Sequence, residues 1–367
     1  TTDEPVCDEH VLVRHPLQPF DIRNVTPGAL GVAGAPFTFD TSALSAASVA
    51  GGQRPERPDF LADPLPAPPP EDVTLQDLSK FFANPVKGFF TALEFTLPWE
   101  VEGVDDAMPV EIDNLQEWKV GQRLLDDMLA GMDPEQAGHA EWRRGSLPPG
   151  RLGWRKANEL RDQAAELARA ALGYRTGVPQ AYDIDVDLGR GRRLTGTVAP
   201  VFADRLVEVT YSKLGAQHLL KAWIPLLALA ASRPGAWSAV CIGRKQRRSG
   251  AAERILCPPV ENPVVVLRQL VAIYDAGRRE PIPLPIKTSY AWAGARHGGH
   301  DPVEDASRTW RYERDDAAIQ RVWGRDPDLE RLLVPAQPGE EIEDETTRLG
   351  ALAARPWGPL LRAEGGR

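Results

Sequence analysis

The chain has 367 residues, of which 42% are hydrophobic and 26% charged, with a net charge of -9. This is ordinary globular usage, enough for two compact domains or one elaborated domain, and it excludes a disordered tail or a small disulfide-stapled scaffold. The acidic balance argues against indiscriminate nucleic-acid binding by the whole surface but leaves room for a local basic patch.

Cys7, Cys241 and Cys257 lack C-x-x-C spacing, so neither a disulfide framework nor a zinc site is indicated and a reducing compartment fits. The start, Thr1-Thr2-Asp3-Glu4-Pro5, has neither an initiator Met nor a targeting pattern and reads as cut from a longer chain. The longest apolar run, Ala222 to Ala231, is too short to span a bilayer. A soluble, cytoplasmic protein with no membrane partner is expected. With 34 prolines and 32 glycines, many breaks are expected rather than long uninterrupted helices.

Seven prolines between Pro55 and Pro70 predict an extended connection ending near Glu71. Residues 1–73 therefore read as a lead-in and 74–293 as the main domain, with a helical part over 74–150 and a core with following helices over 151–293. Residues 294–367 read as an extension of loop and helix. Thr74-Leu75-Gln76-Asp77 has the form that opens a helix, and Asn84-Pro85 should kink or split it. A second helix is expected from Asn114 to about Gly131, after an acidic loop with Glu100, Glu102, Asp105 and Asp106.

Trp154 to Leu172 predicts a helix, followed by strands over Ala181 to Leu188, Arg193 to Val201 and Arg205 to Leu214. An apolar helix over Ala216 to Ala231 and a strand over Trp237 to Gly243 complete the order αβββαβ, an α+β fold. A basic hairpin tip, Arg244 to Gly250, leads to a return strand over Arg254 to Cys257. Further helices are expected over Pro263 to Ala276 and Lys287 to Ala295, and the five acids of Glu340 to Glu345 read as an exposed loop.

Arg244, Lys245, Arg247 and Arg248, with Arg233 and Arg254 nearby, form the best candidate for touching phosphate, and Arg192 with Arg193 a weaker one. A solubilising hairpin or an acidic-partner contact is the equal alternative for this tip. Trp142, Trp154, Trp292 and Trp310 are candidates for stacking on bases, against a commoner role at core edges. Asp183, Asp185 and Asp187 share one strand face, best read as the wet side of a half-buried strand rather than a cation site. His297, His300 and Asp301 sit in a glycine-rich loop without metal-binding helical spacing. Ser212 and Cys241 have no adjacent histidine, and no phosphate-binding P-loop is present.

Several stretches together resemble the C-terminal domain family of RecC, the gamma subunit of the bacterial RecBCD helicase-nuclease, exodeoxyribonuclease V. They are His15-Pro16-Leu17-Gln18-Pro19-Phe20, Phe37-Thr38-Phe39-Asp40, Leu75-Gln76-Asp77-Leu78, Phe81 to Phe90, Leu115-Gln116-Glu117-Trp118, Gly145 to Gly150, Lys221-Ala222-Trp223 and Pro281 to Thr288. The resemblance implies a degenerate PD-(D/E)xK nuclease-like core that has lost its chemistry. Active members hold Mg²⁺ on two carboxylates and use a lysine two residues beyond the second. At these positions the chain has Ala199, Glu208 and Thr210, and Gly150-Arg151 where active RecB-type nucleases follow glycine with histidine. The implied chain is non-catalytic and holds neither metal nor cofactor, with Mg²⁺ and ATP confined to partner subunits. Its implied partners are RecB-like and RecD-like subunits, a double-stranded DNA end and single strands. Two alternatives stand: an active Mg²⁺-dependent nuclease using Asp185, Glu208 and, past a bulge, Lys213, and a protein-binding scaffold without DNA contact.

Overall fold

The computed structural model describes residues 14–30, 34–50, 58–96, 112–246, 250–258, 262–342 and 344–364. The acidic loop with Glu100, Glu102, Asp105 and Asp106, together with Cys7, lies outside the described residues. The chain divides into two compact units, Thr1–Asp59 and Phe60–Arg367. In the first, α1 (Ile22–Val25) packs on α2 (Thr41–Ala50). Aspartates stand at both helix starts: the Asp21 carboxylate accepts the Arg23 N–H at 3.0 Å and the Asp40 carboxylate the Ser42 N–H at 2.8 Å. His15 and Phe37 bring two of the family-like stretches together, with ring centroids 4.4 Å apart.

The second unit opens with β1 (Val73–Thr74), which feeds α3 (Leu75–Ala83). Thr74 Oγ1 accepts the Asp77 N–H at 3.0 Å and donates to the Asp77 carboxylate at 2.7 Å, so the expected cap is formed. Asn84 ends that helix and caps α4 (Pro85–Ala92), accepting the Lys87 N–H at 3.0 Å. The Asn-Pro pair thus splits the helix, since proline at the first position has no N–H to lose. Three helices follow, α5 (Asn114–Leu129), α6 (Pro134–Arg143) and α7 (Gly150–Leu172).

The chain then lays down β2 (Gln180–Gly189), β3 (Arg192–Phe202), β4 (Arg205–Lys213), α8 (Ala216–Ser232), β5 (Ser238–Arg244) and β6 (Ala251–Leu256). From α7 to β5 this is the expected αβββαβ order, within a mixed six-stranded sheet. β2 is antiparallel to β3 along its length, and β1 lies parallel to β3. β3 meets β4 only through Val201–Leu206 and Phe202–Arg205. β4 and β5 are parallel, and β6 returns antiparallel on β5.

Period-two burial places a core on each face of β5. Ala239 and Cys241 join Ile184, Val186 and Leu188 of β2 and the apolar helix α8 on one face. Val240 and Ile242 join Tyr211 and the inner sides of α5 and α7, through Leu124, Leu160 and Leu167, on the other. The remaining elements are α9 (Pro263–Gly277), α10 (Ile286–His297), α11 (Pro302–Trp310), α12 (Ala317–Trp323), a 3-10 turn (Leu329–Leu332) and α13 (Arg348–Glu364). Among the described residues no helix is long and apolar enough to cross a membrane.

Proline shortens helices less than its number predicts: α7 has 23 residues, and α13 runs for 17 with Pro356 and Pro359 inside it. Burial of Leu349, Leu352, Trp357 and Leu360 outweighs the missing N–H groups of α13. The acidic run Glu340 to Glu345 is not simply an exposed loop. Glu340 and Glu345 keep only 13% and 9% of their side-chain surface, because Arg348 and Arg296 pair with them.

Candidate nucleic-acid interface

The three positions matched to nuclease ligands carry no cation-ready set. Ala199 is exposed on β3 and offers no donor atom. Glu208, half-buried on β4, is held by Lys221 of α8, whose Nζ donates to Oε1 in a close ion pair. Thr210 is buried, and its Oγ1 accepts the Ser212 N–H at 3.2 Å. Magnesium needs an octahedron of oxygens anchored by free carboxylates, and these residues do not fit it. Among the described residues no three His, Cys, Asp or Glu side chains come together in a way that could hold a metal ion.

The carboxylates of β2 are engaged by their neighbours. Thr197 donates to Asp183 at 2.9 Å, and the Gly189 N–H to Asp187 at 2.7 Å. Arg193 Nε donates to Asp185 at 2.5 Å, and that bond, helped by the opposite charge, holds the Asp185 carboxyl below its ordinary range. The set Asp185, Glu208 and Lys213 is therefore not gathered: the two acids pair with different cations, and Lys213 stands exposed at the end of β4. Asp301 caps α11 by accepting the Val303 N–H at 2.9 Å, with His297 closing α10 before it.

No activated nucleophile appears at Cys241 or Ser212. Burial, with Glu208 nearby, pushes the Cys241 thiol well above its usual pKa, and the Ser212 Oγ accepts the Trp118 indole N–H at 2.9 Å. His218 is lowered by burial, and its Nδ1 accepts the Gly215 N–H at 3.1 Å, which leaves a neutral ring at the start of α8.

The basic candidates divide. Arg192 is a structural tie, donating through Nη1 and Nη2 to Asp275 at 2.5 and 2.9 Å and through Nε to the Glu71 carbonyl at 2.7 Å. Arg233 lies over the Tyr182 ring. Arg244 turns inward, its guanidinium 4.3 Å from the Tyr211 ring centroid and 3.2 Å from Gln163 Oε1. Lys245 is exposed, and Arg247 and Arg248 lie outside the described residues. Of the tryptophans, Trp292 and Trp310 are buried in the core and unavailable to bases, while Trp142 and Trp154 pack edge-on against each other at 5.4 Å.

Arg244 and Lys245 open onto a cleft of about 1180 Å³ at the carboxyl ends of the parallel pair β4 and β5. Open α/β sheets bind ligands at such ends. Five cations line it, Lys213, Arg244, Lys245, Arg254 and Lys287, with the acid Glu253; Arg254 pairs with Glu364 at 2.9 Å and Arg244 stands 3.7 Å from Glu117, which leaves the three lysines as its exposed charges. On a chain of net charge -9 this is a marked segregation of positive charge. A register shift builds the floor, since β4 runs from Val209 to Lys213 while β5 advances only from Ile242 to Arg244. Gly243 permits it: a Cβ there would stand 2.9 Å from the Ser212 carbonyl oxygen.

Of the residues lining this cleft, the sequence singles out Arg244 and Lys245 as phosphate candidates on a hairpin tip, with Arg254 nearby, and weighs Lys213 only as a nuclease lysine. It missed Lys287, Trp118 and Tyr312 as cleft residues. Their single signal was that Trp118 and Lys287 fall within family-like stretches, because the fold alone brings them beside the hairpin.

Residues 70–297 match the RecC C-terminal domain family. The chain is 62% identical over 370 residues to the RecBCD enzyme subunit RecC of Mycolicibacterium smegmatis, an alignment covering 99% of this chain and 34% of that protein. It is 58% identical over 372 residues to the protein of that name from Mycobacterium tuberculosis, covering 100% and 34%. With the Escherichia coli protein of that name it shares 27% identity over 300 residues, covering 78% and 25%. The chain spans about a third of the length of the first two of these curated relatives. Because the family match takes in the whole six-stranded sheet and the helices from α3 to α10, the chain belongs to the RecC C-terminal domain family.

Proposed function

We propose that this chain is the non-catalytic C-terminal part of a RecC-like subunit of an ATP-dependent helicase-nuclease, and that it handles DNA without cutting it. In this reading it supports the splitting of a duplex end, guides single strands, and docks RecB-like and RecD-like subunits during double-strand-break repair by homologous recombination. It works in the cytoplasm. ATP and Mg²⁺ serve the partner subunits, and no cofactor resides here. The core is a degenerate PD-(D/E)xK fold, a reading supported by the αβββαβ order and the parallel β4–β5 pair. The relatives bear the name of a RecBCD enzyme subunit, which supports the assignment to such an assembly.

One contrast carries the proposal. The acid at the matched ligand position of β4, Glu208, is occupied by Lys221, while the end of the same strand opens on a cleft whose lysines, Lys213, Lys245 and Lys287, are exposed. Cations attract the phosphate backbone whatever its sequence, but hydrolysis through magnesium needs free carboxylates. The test incubates the 367-residue chain with labelled single-stranded and duplex DNA, with and without Mg²⁺. Salt-sensitive binding without cleavage is expected. Metal-dependent cleavage abolished by Glu208→Ala would instead establish a nuclease, and failure to bind any DNA would establish a protein-binding scaffold.

A further inference from the structure

The tryptophan pair on α6 and α7 stands in surroundings that neither the core nor the cleft accounts for. The loop before α7 folds onto that helix at Gly153, where a Cβ would stand 1.6 Å from the Pro148 carbonyl oxygen. The neighbours on either side of this contact stay outward, with Leu152 56% and Trp154 39% exposed. From α6, Trp142 meets the Trp154 ring edge-on and His139 lies 5.7 Å from it, so two helices brace one indole at the surface.

Cations surround that indole. Arg143 shares a face of α6 with His139, one helical turn before it, and Arg151 and Arg155 lie one turn apart on α7 with Trp154 between them in sequence. All three arginines are exposed, and none pairs with a described carboxylate. Glu159, one turn beyond Arg155, pairs instead with Lys156 at 3.4 Å, and Lys156 also pairs with Glu117 at 2.9 Å. For α7 alone this arrangement is unfavourable. Arg151 and Arg155 repel each other, the first turn holds no acid, and a cation so near a helix start opposes its dipole. A bound acid would reverse each of these terms.

The composition tells what kind of partner supplies it. An exposed indole and an aliphatic side chain beside free arginines, with the one neighbouring lysine already paired, match the centres of protein interfaces, where Trp and Arg are enriched and Lys is depleted. The cleft beyond β4 has the opposite character, with its charge on lysines. The patch is also small. Its few side chains fall far short of the roughly 20 to 30 residues a side in a standard protein–protein face.

We infer that this patch recognises a short acidic segment of a protein partner. An apolar or aromatic side chain of the segment packs on Trp154 and Leu152, and its carboxylates pair with Arg143, Arg151 and Arg155, as arginine clusters read acidic motifs elsewhere. The inference depends neither on the DNA-handling reading nor on the docking of whole subunits.

The test selects a random dodecapeptide phage library on the immobilised 367-residue chain. Enriched sequences should combine Asp and Glu with Trp, Phe or Leu. The most enriched one, made as a labelled peptide and followed by fluorescence anisotropy, should bind at least about tenfold more weakly to R143E/R151E/R155E and to Trp154→Ala. A copy of that peptide with lysine at every acid should bind the triple-glutamate variant and not the wild type, a recovery that a merely structural role would not give. The arginines are exposed and unpaired, so their variant should melt within about 3 °C of the wild type and keeps the test sound if Trp154→Ala disturbs the fold. Failure to enrich acidic sequences, or a peptide that binds the arginine variant as it binds the wild type, overturns the inference. A labelled oligo-dT strand that loses affinity with the same three arginines as steeply as the peptide does overturns it in favour of a nucleic-acid surface. Peptide binding lost in the variants while DNA binding is unchanged or absent supports it, whatever becomes of the DNA-handling reading.

Discussion

Glu141 on α6 is almost fully buried, and three side chains converge on its carboxylate. Arg123 donates through Nη2 in a close contact and through Nε at 3.0 Å, Arg144 at 2.8 Å and Ser146 at 2.5 Å. Burial works to raise this carboxyl, but the bonds from Arg123, Ser146 and Arg144 outweigh it and the pKa falls below the ordinary value. A depressed carboxylate stabilises the fold above its unfolded pKa, near about 4.3, and that stability is lost as pH falls through the folded pKa. Glu141→Gln should therefore cost about 2 kcal/mol at pH 7, less than a fully buried pair because both arginines are partly exposed. The gap to wild type should close as pH drops below the carboxylate range, as urea unfolding at a series of pH values would measure; a gap independent of pH would refute the account. Side chains of this kind show how far single residues can be read from sequence. The run of cations at Arg244 and Lys245 is a local signal, but it could not show that Arg244 turns inward onto Tyr211, and Arg192 was misleading, since its partner Asp275 lies 83 positions away. The pairing of Glu208 with Lys221 was invisible for the same reason, because it depends on α8 folding back over β4.

Among the elements, α13 depends on one residue at its start. Arg348 is buried and forks onto two carboxylates, with Nη2 2.7 Å from Glu280 and Nε 2.9 Å from Glu340. Burial works to lower this guanidinium, yet the bonds to Glu280 and Glu340 outweigh it and the pKa rises. Arg348→Ala would leave two carboxylates with little solvent and no cation, a loss of about 3 to 5 kcal/mol. Arg348→Lys should recover only part of that, since an ammonium cannot serve both acids with the geometry of a planar fork. Chemical denaturation of both variants checks this, and a lysine variant as stable as wild type would rule out the fork. The element itself was not legible, because Pro356 and Pro359 argue against a helix that only tertiary burial sustains. By contrast the strands β2 to β5 were placed within a residue or so of their ends, because alternation and turn glycines are local properties. The start of α7 at Gly150 rather than Trp154 and the whole of α6 were missed, although Asp133-Pro134 carries an ordinary helix-start signal for the latter.

For the whole molecule, the acidic composition and the basic cleft are reconciled by where the charges lie rather than by their sum. The same holds for the cores: each hydrophobic cluster is built from residues at or beyond Phe60, and Phe60 itself packs against Phe89 and Phe90 with centroids 6.1 and 5.8 Å away. Leu65 is tied in turn to Arg279, its N–H donating to that carbonyl at 2.9 Å and its own carbonyl accepting from Arg279 Nε at 2.7 Å. The proline-rich stretch from Phe60 onward is therefore part of the second unit's packing, whatever its lack of regular structure. A chain beginning at Phe60 should keep every buried contact of that unit. Losses outside a core are usually within about 0.5 kcal/mol, and a change of about 1 kcal/mol moves the melting temperature of a large domain by about 2 to 4 °C. Residues 60–367 should then unfold in a cooperative transition within about 3 °C of that unit's transition in the intact chain, as scanning calorimetry would record. A broad, non-cooperative melt, or a fall of ten degrees or more, would mean that residues before Phe60 contribute to the second unit's stability.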